Sequence, residues 1–448
     1  MTQLNAQDAP EDGQAEAEAA AEAARKAELN QQLSQLESEL GKYKDSAPEA
    51  ANLMLQLSDE YYKHGRALGL VRITQRFTQV HVNHPKHREM MLKLIDAQQV
   101  LSRNNELVVA CRQYLERYGA SGEAASIEIR LADALEQTTD REGAAKAAEV
   151  VWKRHGNSAT GKQYVERAVY IYQSLPGNEL QTQAAVLSEE AMEKIPAKEF
   201  ARAMGNNAVY LYSRLSKRVE SNRVINRLFQ KGLAGDSDQQ RVSYLQMAAN
   251  YEQLQQYTNA ANMYQRARQI RDDADALYKQ AMNVYNSKTN PGQTESLLNQ
   301  FKQKFSTDER KWTLQQYVAL QYYNAMNNAK ALQLFREGLQ GDAVTHNAAS
   351  LFITLNGSEP ARLQDTERVF RDAINKSKRA DSRARLYRYL AFNIYTGEAF
   401  NQNRALQLCR EFLSRYPDGG GDTNVMIDYL FKNSPDDNAF RNLSLIHI

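Results

Sequence analysis

Three stretches of this chain carry residue types at spacings that could do chemistry. The first, Gly156-Asn-Ser-Ala-Thr-Gly161-Lys162, has the glycine and lysine spacing of a phosphate-cradling loop. Such a loop also needs a hydroxyl after the lysine to hold magnesium, and a buried strand leading into it. Gln163 stands in the hydroxyl's place and residues 144–155 are patterned as a helix, so the expectation is a turn between helices. The second stretch is His81-Val-Asn-His84-Pro-Lys-His87. Imidazoles at every third position could share a metal ion if one helix aligned them, but Pro85 interrupts that helix and a site needs three or four fixed ligands. A solvated turn is expected there. Finally, Cys111 and Cys409 have no His and Asx set nearby to raise a nucleophile, and two cysteines so far apart give no disulfide framework. We assign no catalytic, cofactor-binding or metal-ligating residue.

Long helices and short turns must position whatever acts here, because only nine prolines and 21 glycines punctuate 448 residues. Charged residues at 25% and apolar ones at 42% suit a chain that can form a core. The 56 basic and 54 acidic residues are mixed along the chain, which leaves no electrostatic footprint for nucleic acid or an anionic membrane. No apolar run approaches the roughly 18 residues that cross a bilayer. Positions 1–14 lack the basic head and apolar core of a signal peptide. The expected compartment is the cytoplasm, or the periplasm if the true start lies upstream.

One stretch sets the architecture, residues 241–272, RVSYLQMAANYEQLQQYTNAANMYQRARQIRD. Tyr244, Met247, Ala248, Tyr251 and Leu254 share one helical stripe, Tyr257 starts a turn, and Ala260, Tyr264 and Ala267 line a second helix. Small residues at 248 and 260 let two antiparallel helices approach to about 8–10 Å, with aromatic rings filling the space around them. This order of aromatic, small, aromatic, alanine, aromatic, alanine resembles the tetratricopeptide repeat, with Ala248 in place of the usual glycine and Asp272 in place of the final proline. The resemblance implies an all-α fold, a right-handed α-solenoid of antiparallel helix pairs that binds a protein or peptide on the concave face of its first helices. It implies no enzyme activity and no cofactor. It also implies a candidate peptide-binding pair, Lys279 and Asn283, at positions 5 and 9 of the next repeat, where the co-chaperone branch begins a five-residue clamp for a C-terminal carboxylate. The rest of that clamp departs from the pattern: Tyr317 stands where an asparagine is needed, and residues 343–357 contain neither Lys nor Arg.

The remaining organisation follows. Residues 1–14 are polar, with Pro10 and Gly13, and read as disordered. Residues 15–44 form an Ala- and Glu-rich helix whose Leu29, Leu33, Leu36 and Leu40 make a short coiled-coil seam. It serves either as a cap on the first repeat or, through residues 15–40, as a homo-oligomer contact. Degenerate repeats fill 45–240 and more regular ones 241–441, with breaks at His64-Gly65, 103–105, 138–143, 175–177 and 195–196. An ending recurs at 111–119, 148–156, 298–306 and 409–417: an apolar anchor, a basic residue, an aromatic and a stop. The step from 111 to 148 is the length of a two-helix repeat, and the step from 298 to 409 is three times as long. Endings such as YLERYGAS and FLSRYPDG also resemble those of bacterial envelope repeat proteins, including the outer-membrane assembly lipoprotein and the coiled-coil Tol–Pal accessory protein. Residues 442–448, NLSLIHI, break the helical texture and resemble translated sequencing-adapter sequence, so they read as a non-native tail. A second functional reading follows from that end, the substrate-recruiting arm of a larger enzyme such as a glycosyltransferase or kinase.

Overall fold

A computed structural model describes residues 11–339, 346–357, 360–398, 400–416 and 421–434. Residues 1–10 and the tail at 442–448 lie outside these. Every element among the described residues is helical, and none is long and apolar enough to cross a membrane. The chain divides into two compact units at Leu215 and Ser216, rather than at 240, where the sequence becomes more regular.

Unit 1 opens with α1 (Glu11–Leu40) and continues as helix pairs: α2 (Pro48–Lys63) with α3 (Ala67–Val80), α4 (His87–Val100) with α5 (Asn104–Tyr118), α6 (Ala124–Glu136) with α7 (Arg141–His155), α8 (Ala159–Ser174) with α9 (Asn178–Lys194), and then α10 (Lys198–Arg214). Helix α1 is expected from Ala15 and starts earlier, at Glu11. Its leucine seam is used within the chain. Leu33 and Leu40 are buried, Glu37 accepts from Tyr61 of α2 and Arg72 of α3, and Asn30 accepts from Arg66 at 3.2 Å. Residues 19–28 are exposed on every side.

Unit 2 comprises α11 (Arg218–Gln230), then α12 (Ser237–Gln253) with α13 (Tyr257–Ile270), α14 (Ala274–Asn286) with α15 (Pro291–Lys304), α16 (Arg310–Asn324) with α17 (Asn328–Gly338), and α18 (His346–Asn356) with α19 (Pro360–Lys376). Helix α20 (Ala380–Arg388) runs into a π-helical segment, Tyr389–Glu398, followed by α21 (Gln402–Arg415) and α22 (Gly421–Asn433). Local chemistry sets the starts. Asp236 and Gln239 form a reciprocal capping box before α12, and Pro291 occupies the first turn of α15 behind Asn290.

The turn inside a pair is the recurrent constraint. Between α12 and α13 the Gln255 N–H donates to the Glu252 carbonyl (2.9 Å) and the Gln256 N–H to the Tyr251 carbonyl (2.8 Å), which forces Gln255 to φ +56°. The same left-handed residue recurs as Gly65, Ser102, Lys288 and Met326. Only Gly65 adopts it freely; each of the others carries a Cβ penalty of about 1 kcal/mol. This explains the expected break at 103–105. The turn is at 101–103, built on Ser102, and Asn104 already begins α5. Because Met326 is 84% exposed, Met326→Gly removes strain without removing packing. We predict that it raises the stability of unit 2 by roughly 0.5–1 kcal/mol, measured by urea unfolding; an unchanged or lower midpoint would refute the strain account.

Candidate functional site

Ala248, Ala260 and Ala267 are fully buried and Tyr264 is nearly so. Tyr264 packs with Ala248 and Ala276 in one small core cluster, so an aromatic ring does fill the space left by the alanines. Tyr244 is half-buried, its ring stacked on Phe229 at 4.5 Å between centroids, and Tyr251 is half-buried beside α11. The recurrent ending is a ring pair one turn apart at the end of a second helix: Tyr114 with Tyr118 (5.3 Å), Phe301 with Phe305 (5.6 Å) and Phe412 with Tyr416 (5.7 Å).

The proposed peptide-binding pair does not form a shared open surface. Lys279 is exposed and pairs with Asp275 at 3.1 Å. Asn283 is 2% exposed, and its Nδ2 donates to Glu252 Oε1 (2.5 Å) and to the Lys279 carbonyl (2.8 Å). A ligand carboxylate placed there would meet the Glu252 carboxylate, and Tyr317 packs on Tyr285 at 4.9 Å instead of facing outward as a polar clamp residue.

Residues 156–158 form the turn between α7 and α8, and residues 159–163 already belong to the first turns of α8. The Gly161 N–H donates to Ser158 Oγ at 3.0 Å, and a Cβ at Gly161 would fall on the Gly156 carbonyl. The amide that would face a phosphate is therefore already occupied. The histidine turn needs a correction: His87 is buried, not solvated. Its Nδ1 meets the Tyr118 hydroxyl at 2.8 Å and its Nε2 the Thr78 carbonyl at 3.1 Å, so it ties α4 to α3 and α5. Burial lowers its pKa. His81 and His84 pack on Phe77, at 5.0 and 5.2 Å. Burial pushes both cysteine thiols up to about 12, which makes Cys111 and Cys409 packing residues.

Two devices at the seams between pairs are absent from the sequence reading. In the first, a buried or half-buried carboxylate accepts a tyrosine hydroxyl. Tyr172 donates to Glu149 (3.0 Å) and Tyr212 to Glu189 (3.1 Å), two pairs with the same separation along the chain, one helix pair after the other. In unit 2 Tyr322 donates to Glu295 (2.6 Å), Tyr387 to Glu411 (3.2 Å) and Tyr395 to Glu367. Cations complete these groups: Lys330 on Glu295 (2.8 Å), Arg404 and Arg371 on Glu367, and Arg371 again on Glu411 (2.8 Å). The second device links first helices. Asp59 of α2 pairs with Lys93 of α4, Asp96 of α4 with Arg130 of α6, and Asp133 of α6 with Arg167 of α8. The separation from acid to base is the same in all three, and the acids at 59, 96 and 133 follow one another at a constant step. The D-x33-K/R spacing is legible in the sequence once charges are aligned as well as rings.

The next position at that step in the acid row is Tyr170 on α8. Its equivalent on α10 is Tyr210, because residues 161–175 and 201–215 repeat the same order of buried, half-buried and exposed positions. Tyr170 is 64% and Tyr210 59% exposed. Along the solvent face of unit 1's first helices, the ionic rungs therefore give way to two aromatic ones.

Burial raises the Glu367 pKa, but hydrogen bonds from Arg404, Tyr395 and Arg371 outweigh it and hold the carboxyl at about 2, below its ordinary 4.5. Glu149, Glu295 and Glu411 are lowered in the same sense. A folded-state pKa below the unfolded one contributes stability above the unfolded value and loses it as pH falls through the folded value. The melting temperature should therefore fall steadily between about pH 5 and pH 2. We expect Glu367→Gln to cost on the order of 2 kcal/mol at pH 7 and to flatten that acid limb. A variant as acid-sensitive as the parent would show that Glu367 is not the titrating anchor.

No family model and no curated protein matches the sequence. Among solved structures, the crystal structure of yeast Tom70 matches with a TM-score of 0.30 and 13% identity, covering 93% of this chain and 96% of that one. The structure of Naa15/Naa10 bound to HypK-THB matches with a TM-score of 0.33 and 12% identity, over 93% of this chain and 64% of that one. A tetratricopeptide repeat protein from Parabacteroides merdae ATCC 43184 matches with a TM-score of 0.26 and 11% identity, over 68% of this chain and 98% of that one. The chain's own antiparallel pairs, with alanines buried at their crossings, carry the assignment: each unit is a tetratricopeptide-like stack of helix pairs.

Proposed function

We propose that this protein is a non-enzymatic scaffold or adaptor that binds a protein or peptide partner on the face presented by the first helices of its repeats, with Tyr170 and Tyr210 at the contact. The observation that carries this reading is the change of rung. Charges on this face are paired with one another from α2 to α8, so the face offers few uncompensated charges to a ligand. At α8 and α10 it offers two exposed phenol rings in equivalent positions. A tyrosine gives a partner a large apolar surface and one hydrogen-bonding tip at low entropic cost, and such residues dominate binding energy at interfaces. The neighbouring exposed side chains, Gln163 and Glu166 on α8 and Asn206 on α10, are polar and suit the rim of such a contact.

The test is site-specific photo-crosslinking in the source cells, with the reactive residue placed at 170, at 210 and, as a control on a second helix, at Val150. One species captured from 170 and 210 but not from 150 supports the reading. Identical capture from all three positions, or none from 170 and 210, refutes it. Tyr170→Ala with Tyr210→Ala should weaken that partner's binding about 10-fold or more while leaving the melting temperature unchanged, because neither ring is packed.

A further inference from the structure

A second site lies on the other side of unit 1, between second helices. Helices α3 and α5 form the walls of an open cleft of about 730 Å³, and α4 forms its floor. The floor runs from His87 to Gln98, with Met91 and Leu94 between them. That length of helix rises about 16 Å, which matches about five residues of extended chain at roughly 3.3 Å each.

Three observations say what fits. Gln98 is 4% exposed and its amide oxygen has no hydrogen-bond partner, although a buried acceptor left alone is costly and most are paired. A donor entering along the floor would satisfy it. Gln75 and Gln79 on one wall and Gln113 on the other add amides that can pair with a backbone. The charge is lopsided. Glu106 and Glu116 line the cleft and have no ion pair among the described residues, against a single permanent cation in the lining, Arg117, whose guanidinium is turned to Asn83 Oδ1 at 3.2 Å and keeps its charge. Between these polar groups, Met91, Leu94 and the exposed Val109 supply an apolar patch for one large side chain.

We propose that this cleft binds an extended peptide segment of about five residues in which an apolar side chain is flanked by basic ones, with a backbone or lysine N–H donating to Gln98 Oε1. The apolar side chain seats on Met91 and Leu94, and the flanking cations face Glu106 and Glu116. The site is separate from the tyrosine face and does not depend on it.

The test uses the full chain and a fluorescein-labelled Lys-Leu-Lys-Leu-Lys peptide with glycine ends, read by fluorescence anisotropy in moderate salt. The same peptide with glutamate replacing lysine is the control. The lysine peptide should bind at least about 10-fold more tightly than the glutamate one. Gln98→Leu should raise the melting temperature, since it removes an unpaired buried amide, yet weaken the lysine peptide about 10-fold. Val109→Arg, on an exposed wall that folding does not need, should weaken it by a similar factor through like-charge repulsion. Tyr170→Ala with Tyr210→Ala should leave this affinity unchanged, which keeps failure here distinct from failure of the scaffold reading. The proposal is overturned if neither peptide binds, if both bind equally, or if Gln98→Leu stabilises the protein without changing affinity. Unchanged affinity in Val109→Arg overturns it as well.

Discussion

The structure depends on tyrosine hydroxyls that end on carboxylates. A helix pair buries its large rings against the next pair, and a buried phenol oxygen needs a partner. Glu149, Glu189, Glu295, Glu367 and Glu411 provide one, each from a neighbouring helix. A carboxylate in such a place would be costly alone. Lysines and arginines of the same or a neighbouring helix therefore share it, as Arg371 does by bridging Glu367 of its own helix and Glu411 of α21. Ring packing sets how closely the pairs approach, and the shared acid sets their register, because a hydroxyl reaches its carboxylate in one alignment only.

The same economy shapes the surface. Asp59, Asp96 and Asp133 are each neutralised from the following first helix, which leaves a face with little net field. In the scaffold reading proposed above, selectivity comes from shape and from contacts made at close quarters. Tyr170 and Tyr210 on one side, and the glutamine-rich cleft over α4 on the other, are the places proposed for such contacts on unit 1.

The pairing of helices is legible in the sequence because one repeat, residues 241–272, shows its small and large residues in nearly undiluted order. Ala248, Ala260, Tyr264 and Ala267 are buried as that order requires. The breaks at Gly65 and at 175–177 are visible because glycine and proline mark them. The turns at Ser102, Gln255 and Met326 have no such marker, since tertiary packing there overrides local preference, and boundaries shift accordingly. His87 is hidden because Pro85 suggests a loop open to water, whereas the chain re-enters helix at His87 itself and takes the imidazole inside. The acid ladder is hidden for another reason. Acid and base of each rung lie a whole repeat apart in the chain, and only stacking makes them neighbours. The resemblance suggests Lys279 and Asn283 by position alone, and position does not determine that Glu252 lies beside the amide.

The ladder also bears on how such a chain can change length. Because each rung joins an acid to a base in the next first helix, and the acids recur at the constant step 59, 96, 133, the base presented by one repeat is chemically equivalent to that of the next. Excising or duplicating one block of that length from unit 1 by unequal recombination would return an aspartate to a waiting lysine or arginine. An offset that is not a whole number of such blocks would leave the two out of phase. The charge pattern thus favours a change by whole repeats over a change by fractions of one.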